Sequence, residues 1–217
     1  MVEENKEDYS AVTQTWIGDL IGSGFLAKRG ITDREKEETT ATEDVTLEVL
    51  KEPKFLGIFF SAGWCAPCKL MLKPLKDFYT DINMQSRQME VLYVPVDRDA
   101  DSWKQHYASM PWLSLAQGDQ RVAKLMAHFK ISGIPALVVV EAETGFKVTD
   151  RARKDISSDA NIPDVIKSWT KQLTLNKEKK IKHTMMAEAS KLEQEKIAAE
   201  KKQREADAAR AYEAKKI

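Results

Sequence analysis

The strongest constraint on this chain is an apolar segment that ends at two closely spaced cysteines and continues as a helical pattern. Residues 55–60 are nearly all apolar, which is typical of a central strand buried on both faces. Cys65 and Cys68 follow, and apolar side chains then recur at helical spacing from Leu72 to Ile82. The sequence therefore predicts a strand followed by an amphipathic helix whose first turn holds both thiols. Pro74 is expected to kink this helix.

The remaining apolar patterns alternate between strands and helices. They predict strands at residues 91–96, 136–140 and 145–148, with Pro95 at a strand end or bulge, and helices at residues 120–129 and 162–173. Residues 16–25 are interpreted as an entry strand or hairpin, and residues 32–44 as a surface loop or the start of a short helix. This alternation predicts an α/β fold, with a sheet layered by helices.

The charge balance and the apolar content of the sequence indicate which partners and which cellular compartment to expect. The 34 Lys and Arg balance the 34 Asp and Glu, so no global field attracts nucleic acid or an anionic membrane. Residues 1–15 lack periodicity and are expected to be flexible, and their acidic, polar start does not resemble a signal or transit peptide. No apolar run approaches the roughly 20 residues of a membrane-spanning helix. We therefore expect a cytoplasmic protein, in a compartment that keeps thiols reduced.

The two cysteines are the candidate reactive groups. Thiols three residues apart at the start of a helix lie close enough for a disulfide, and the helix N-terminus stabilises a thiolate on the first of them. Cys65 is therefore the expected nucleophile and Cys68 the thiol that resolves a mixed disulfide. Trp64 is expected to shape the surface around them, Pro67 to restrict the turn, and Lys69 to add positive charge.

A zinc site is the structural alternative for this pair of cysteines. Zinc needs four ligands, and only His106, His128 and His183 are present to complete the set, without a characteristic spacing. His128 is expected to be a partly buried packing residue and His183 a solvated one. We predict no metal site.

A second motif lies at Ser132-Gly133-Ile134-Pro135, directly before the predicted strand at Ala136. In a tight turn an X-Pro bond of this kind can be cis. Such a turn would place Ile134 and Pro135 against the cysteines and leave the Ile134 backbone to pair with an extended substrate. The alternative is a trans-proline that merely begins a strand.

The composition changes near residue 176. Residues 176–217 are rich in Lys, Glu, Ala and Gln and contain neither Gly nor Pro, and pairs such as Glu200 with Arg204 favour a long helix. The apolar positions Ile181, Met185 and Leu192 do not form a sustained coiled-coil seam. This charged C-terminal extension is either a solvated helix or a docking helix for a protein partner.

Three segments together resemble the tryparedoxin and nucleoredoxin branch of the thioredoxin superfamily. Residues 60–69, FSAGWCAPCK, resemble its FSAxWCxPC signature, residues 110–113 resemble its MPWL segment, and residues 131–137 resemble the GIPxL segment that carries the cis-proline. Their order and approximate spacing agree over residues 16–175.

The resemblance implies a thioredoxin fold over residues 16–175, a central mixed β-sheet flanked by helices. It implies that Cys65 and Cys68 are catalytic and act as a redox-active disulfide without a bound cofactor. It also implies a substrate surface; the residues expected there are Trp64, Ala66, Pro67, Ile134 and Pro135. Residues 97–120 are longer than in a minimal thioredoxin and are expected to be an insertion, in which Trp112 packs near the active-site loops or simply in the core.

The sequence departs from the family pattern at several positions. Phe59 stands where thioredoxins keep a buried carboxylate that helps move the Cys68 proton, as an aromatic residue does in the tryparedoxin branch. Pro74 falls one residue later than the family's helix proline, and the dipeptide between the cysteines is Ala66-Pro67. A minimal member has no counterpart of the charged tail.

The function expected from these observations is that of a thiol–disulfide oxidoreductase that reduces protein disulfides. Its partners would be disulfide-containing proteins and an upstream reductase or a low-molecular-weight thiol, with no nucleic acid and no membrane. The rival hypothesis is a structural or adaptor module that is anchored in a larger assembly through its C-terminal helix.

Overall fold

The structure is a computed structural model that describes residues 52–156 and 160–214, the strands at residues 25–28 and 42–45, and single positions 16, 20, 21 and 50. The predicted flexible segment 1–15 lies outside these residues. The strands are β1 (Phe25–Lys28), β2 (Thr42–Val45), β3 (Phe55–Ser61), β4 (Met89–Pro95), β5 (Leu113–Ser114), β6 (Ala136–Glu141) and β7 (Lys147–Thr149). The helices are α1 (Ala66–Ile82), α2 (Ala100–Ala108), α3 (Arg121–Phe129) and α4 (Ile162–Ala214), with a 3-10 turn at Ala152–Lys154.

The seven strands form one mixed sheet in the order β2-β1-β5-β4-β3-β6-β7. Strands β3, β4 and β5 are parallel to one another, and the other pairings are antiparallel. Strand β3 pairs with β4 from Phe55 opposite Met89 to Ser61 opposite Pro95, and with β6 on its other side. The carboxyl end of β3, from which the cysteine motif continues, is therefore fixed from both sides. The predicted mixed sheet is confirmed, and Pro95 lies at a strand end as expected.

The alternation of side chains along β3 divides the core into two clusters, one on each face of the sheet. Phe55 and Phe59 face the cluster formed with α1 and the first turns of α4, including Phe78 and Trp169. Leu56, Ile58 and Phe60 face the cluster formed with α3. Since each fully buried large apolar side chain stabilises the fold by roughly 1.5–3 kcal/mol, both faces hold β3 in place. This burial on both faces is what the apolar run predicts.

Two parts of the sequence interpretation are wrong. Within the described part of residues 16–25, Trp16, Leu20 and Ile21 lie in helical turns, and only Phe25 lies in a strand. The end of the predicted loop at residues 32–44 forms β2 instead, because Thr42–Val45 pairs antiparallel with β1. Cross-strand hydrogen bonds thus override the low strand propensity of this polar segment.

The predicted insertion at residues 97–120 contains elements that the sequence interpretation missed. Helix α2 begins after Asp99, whose side chain accepts a hydrogen bond of 2.8 Å from the Ser102 N–H and so caps the helix. Strand β5 follows and joins β1 to β4. The insertion therefore extends the sheet and adds a helix near the carboxyl end of β4.

The chain forms two compact units, of which the first ends at Leu173 and the second begins at Thr174. Helix α4 supplies core residues to the first unit as far as Leu173. In the second unit, every side chain from Glu178 to Ala206 is exposed. Among the residues that the structure describes, no helix combines the length and the apolar character that crossing a membrane requires.

Candidate active site

The cysteine motif forms the junction between β3 and α1. Cys65 is the N-cap of α1 rather than a residue of its first turn, and its Sγ accepts a hydrogen bond of 3.3 Å from the Cys68 N–H. Pro67 occupies the second helical position, where a backbone N–H has no helical partner in any case. The Cys65 N–H donates to the Ala62 carbonyl oxygen at 3.1 Å, which closes the turn before the helix. The nucleophile expected from the sequence therefore lies at the positive end of a helix of 17 residues.

Cys65 and Cys68 form a disulfide, with their Cα atoms 5.2 Å apart. Cys68 is completely buried, whereas Cys65 retains 6% of its surface. Their environment is apolar, with Ala62, Val96 and Ile134 packed against them. An incoming thiolate can therefore reach the Cys65 sulfur and not the Cys68 sulfur.

The peptide bond between Ile134 and Pro135 is cis, so the alternative of a trans-proline is wrong. The carbonyl oxygen of Ile134 lies 4.0 Å from the Cys65 Sγ. Trp64, Ala66 and Pro67, next to Cys65 in the chain, are exposed, and Ile134 and Pro135 are half-buried. Of the five residues expected at the substrate surface, three adjoin the cysteines in the chain, Ile134 packs against them, and Pro135 follows Ile134.

A buried carboxylate that the sequence interpretation missed supports the loop before Cys65. Asp97 is only 9% exposed, and its Oδ1 accepts hydrogen bonds from the Gly63 N–H at 2.7 Å and the Ser102 hydroxyl at 2.9 Å. Its Oδ2 accepts a hydrogen bond from the Tyr93 hydroxyl. Asp97 lies two residues beyond the end of β4. Because β4 is parallel to β3, the carboxyl ends of both strands meet at the same edge of the sheet. In the sequence, the only indication of this role is that Asp97 follows the predicted strand at residues 91–96.

Gly63 packs tightly against α2. A Cβ atom at this position would lie 2.8 Å from the backbone oxygen of Ser102 and 3.1 Å from the Cβ of His106. The loop before the nucleophile therefore approaches α2 as closely as a residue without a side chain permits.

His106 is a second buried polar residue beneath the motif. It is 6% exposed, and its Nε2 is hydrogen-bonded at 2.9 Å to the hydroxyl of Ser61, the last residue of β3. Burial lowers the pKa of His106; the negative charge of Asp97 opposes this effect, and the positive charge of Lys69 adds to it. Lys69 is exposed on the first turns of α1, where the sequence predicts electrostatic support for the cysteines.

The position of the expected carboxylate beneath the cysteines is apolar. The ring of Phe59 lies 6.2 Å from that of Tyr93 and 6.3 Å from that of Trp112, measured between centroids. Trp112 is only 2% exposed and also packs edge-on against Tyr79, so it is a core residue. Of the two interpretations of Trp112, the structure supports packing in the core.

The histidines do not assemble a metal centre with the cysteines. His106 is hydrogen-bonded to Ser61, and His183 is exposed. His128 is exposed as well, so its expected role as a partly buried packing residue is wrong, because it lies on the outer face of α3. Over the described ranges, no group of three His, Cys, Asp or Glu side chains is arranged to hold a metal ion.

Replacing His106 by glutamine is expected to weaken the dependence of stability on pH. Because the folded chain binds the His106 proton less readily than the unfolded chain, stability falls as the pH drops below the ordinary histidine pKa of about 6.5. Glutamine can keep a hydrogen bond to Ser61 but does not titrate. The free energy of unfolding, measured in urea at about pH 7.5 and about pH 5.5, should fall more in the wild type than in the variant. The difference should be at most about 1.4 kcal/mol per pH unit. Equal losses in the two proteins would mean that His106 is not responsible for the pH dependence of stability.

The sequence comparisons agree with the fold. Residues 53–145 match a family model described as thioredoxin-like. The chain is 33% identical to tryparedoxin of Trypanosoma brucei brucei over 115 residues, which cover 51% of this chain and 78% of the relative. It is 34% identical to nucleoredoxin of Bos taurus over 109 residues, which cover 50% of this chain but only 25% of the relative. The chain thus spans about a quarter of that nucleoredoxin's length.

The structural comparisons lead to the same group. Tryparedoxin II of Crithidia fasciculata superposes with a TM-score of 0.53 at 31% identity, covering 63% of this chain and 82% of that one. A second structure of tryparedoxin II, with a TM-score of 0.51 at 35% identity, covers 55% of this chain and 82% of that one and is a complex with glutathionylspermidine.

Fold and site define a thioredoxin-fold protein with a cysteine pair at a helix N-terminus. The chain belongs to the thioredoxin-like family, and its relatives there include tryparedoxins and nucleoredoxins. Proteins of this family use the cysteine pair itself and no bound cofactor.

Proposed function

We propose that this protein is a thiol–disulfide oxidoreductase that reduces protein disulfides through Cys65 and Cys68. The observation that carries the proposal is the position of the Cys65 sulfur. It lies at the N-terminus of α1, 4.0 Å from the Ile134 carbonyl oxygen, at the edge of an exposed surface that includes Trp64 and Pro67. A helix N-terminus favours a thiolate, and an exposed apolar surface beside it suits an extended peptide.

The reaction begins with both cysteines reduced. The Cys65 thiolate attacks one sulfur of the substrate disulfide, whose S–S bond breaks, and the other substrate sulfur leaves as a thiolate that takes up a proton. The Cys68 thiol, after losing its proton, attacks the Cys65 sulfur of the mixed disulfide and releases the second substrate thiol. Two electrons pass to the substrate, and the enzyme is left with the Cys65–Cys68 disulfide, the state seen in the structure.

The remaining residues of the site would support this reaction. In the reduced protein, the Cys68 N–H that contacts the Cys65 sulfur can donate a hydrogen bond to the thiolate. Trp64, Ala66, Pro67, Ile134 and Pro135 would bind the substrate chain, and Lys69 would favour the anionic sulfur. Since Phe59 supplies no carboxylate, water or another polar group has to accept the Cys68 proton.

The oxidised enzyme needs a reductant to complete the cycle. We propose an upstream protein reductase or a low-molecular-weight thiol, and a reducing compartment such as the cytoplasm. The complex of tryparedoxin II with glutathionylspermidine supports the second class of reductant, because that ligand is a small thiol derivative bound to a homologous protein.

Redox titration tests this function. The purified protein is equilibrated with glutathione or dithiothreitol couples, and its free thiols are trapped and counted by mass spectrometry. We expect one two-electron transition of Cys65 and Cys68 near or below roughly −200 mV, together with reduction of a peptide disulfide. Cysteines that stay inaccessible, or that never oxidise reversibly, would contradict the proposal.

A binding role is the second candidate, and the tail of α4 supports it. Within residues 174–217, the apolar side chains of Ile181, Met185, Leu192 and Ile197 are exposed along the helix. We propose 176–217 as the segment that would tether residues 16–175 to a protein partner, as apolar helix faces do when they enter a groove. An inert cysteine pair in the titration would favour this role as the main function.

A further inference from the structure

An exposed cation is held over an exposed aromatic ring next to the nucleophile. The guanidinium of Arg98 lies 4.9 Å from the ring centroid of Trp64, within the range of a cation–π interaction. Trp64 directly precedes Cys65 and is 49% exposed. Its Nε1 donates a hydrogen bond of 3.3 Å to the Val96 carbonyl oxygen, so the ring is tied to the end of β4. The indole therefore holds the Arg98 charge at the residue that directly precedes the nucleophile.

The carboxylates on either side of Arg98 in the chain are bound to other groups. Asp97 accepts hydrogen bonds from Gly63, Ser102 and Tyr93. Asp99 caps α2 through the Ser102 N–H. Among the residues that the structure describes, Arg98 takes part in no ion pair, and its contact is the Trp64 ring. The N–H groups of its guanidinium are therefore available to a ligand.

The guanidinium of Arg98 is suited to one kind of ligand. A planar fork of N–H donors suits a carboxylate, which it can bind through two parallel hydrogen bonds. Lys69, exposed on α1 two residues after Pro67, adds a second positive charge on the same motif. The positive charge near the nucleophile thus favours substrates that carry a carboxylate close to their disulfide.

We propose that Trp64 and Arg98 form an anion site that selects disulfide substrates with an Asp or Glu side chain next to the reactive cysteine. The inference rests on the proposed function, since it names the substrate class of the same site. Arg98 acts here as a specificity residue: it binds the flanking carboxylate and takes no part in the exchange of sulfur atoms.

The test uses the full chain and two synthetic peptides. Both contain the same intramolecular disulfide, flanked by two Asp in one peptide and by two Asn in the other, and a small uncharged disulfide is the third substrate. We expect the wild type to reduce the Asp peptide with the higher kcat/KM. Arg98→Glu should lower kcat/KM for the Asp peptide by about fivefold, since exposed charge pairs are worth up to about 1 kcal/mol. Its rate on the uncharged disulfide should stay within about twofold of the wild type.

Two further variants separate a local site from a general change in charge. Lys104→Glu makes the same change in charge at an exposed position of α2 and should leave the preference for the Asp peptide intact. Arg98→Lys keeps the charge and should restore part of the preference. Equal reduction of both peptides by the wild type, or equal effects of Arg98→Glu and Lys104→Glu, would overturn the anion site alone. A wild type that reduces none of the three substrates would overturn the proposed function, and with it the anion site.

Discussion

Replacing Cys65 by serine is expected to lower the rate of disulfide reduction by more than about a hundredfold, because a hydroxyl at this position is a far weaker nucleophile than a thiolate. The fold should be unaffected, since serine is close to cysteine in size and the position is the N-cap of α1, which serine favours. The measurement is the rate at which a fluorescent peptide disulfide is reduced in excess dithiothreitol, with unfolding in urea as the check on stability.

Replacing Cys68 by serine is the matched control. This variant keeps the nucleophile and loses the resolving thiol, so it should form a mixed disulfide with the peptide and then stop. Mass spectrometry under non-reducing conditions would show the added mass of one substrate chain on Cys65. If the mixed disulfide accumulated in the Cys65→Ser protein instead, the two roles would have to be exchanged. Wild-type rates in both variants would place the activity outside this motif.

Replacing Asp97 by alanine is expected to reduce the free energy of unfolding by about 2–4 kcal/mol, because its carboxylate accepts three hydrogen bonds in a buried position. The Gly63 N–H would lose its acceptor, and the Tyr93 hydroxyl would keep only the more distant Ser61 carbonyl oxygen at 3.4 Å. The loop before Cys65 would thereby lose one of the hydrogen bonds that hold it at the end of β4. Urea unfolding measures the loss in stability, and the rate of peptide reduction reports whether the loop still positions the nucleophile.

Asp97→Asn separates the hydrogen bonds from the charge. The amide oxygen of asparagine can still accept from Gly63 and Ser102, so most of the stability should remain, with a loss of about 1 kcal/mol. If the alanine and asparagine variants were equally stable, the hydrogen bonds of Asp97 would contribute little to the fold. If both were as stable as the wild type, the buried carboxylate would have another role.

The parts of the fold that follow from local patterns could be predicted from the sequence. The apolar run of β3 and the helical spacing in α1 are patterns among residues close together in the chain. The strand, the helix and the position of the cysteines between them could therefore be predicted. The motif at Ile134-Pro135 was also visible, because a proline before an apolar strand is a local signal. The inward residues of α3 and of the start of α4 followed from spacing in the same way.

The parts that depend on pairing between distant segments could not be predicted in this way. Residues 97–101 contain three Asp and one Arg, a composition typical of a solvated loop, and only the assembled sheet buries Asp97 at the end of β4. His106 becomes significant because α2 packs against the end of β3, where Ser61 meets it. Strand β2 is polar because it lies at the edge of the sheet, where charged residues are common and strand propensity is a weak guide.

The distance along the chain between the groups that surround Cys65 has a consequence for biosynthesis. Asp97 lies 34 residues after the Gly63 that it binds, and Ile134 lies 69 residues after Cys65. When Cys65 has just emerged from the ribosome, Asp97 has not yet emerged and Ile134 has not yet been added to the chain. Its two thiols then have neither the helix N-terminus nor the packed surroundings of the folded site. The reactivity of the pair therefore arises only when the chain beyond Pro135 has been made and folded, which protects the unfinished protein from exchange with other thiols.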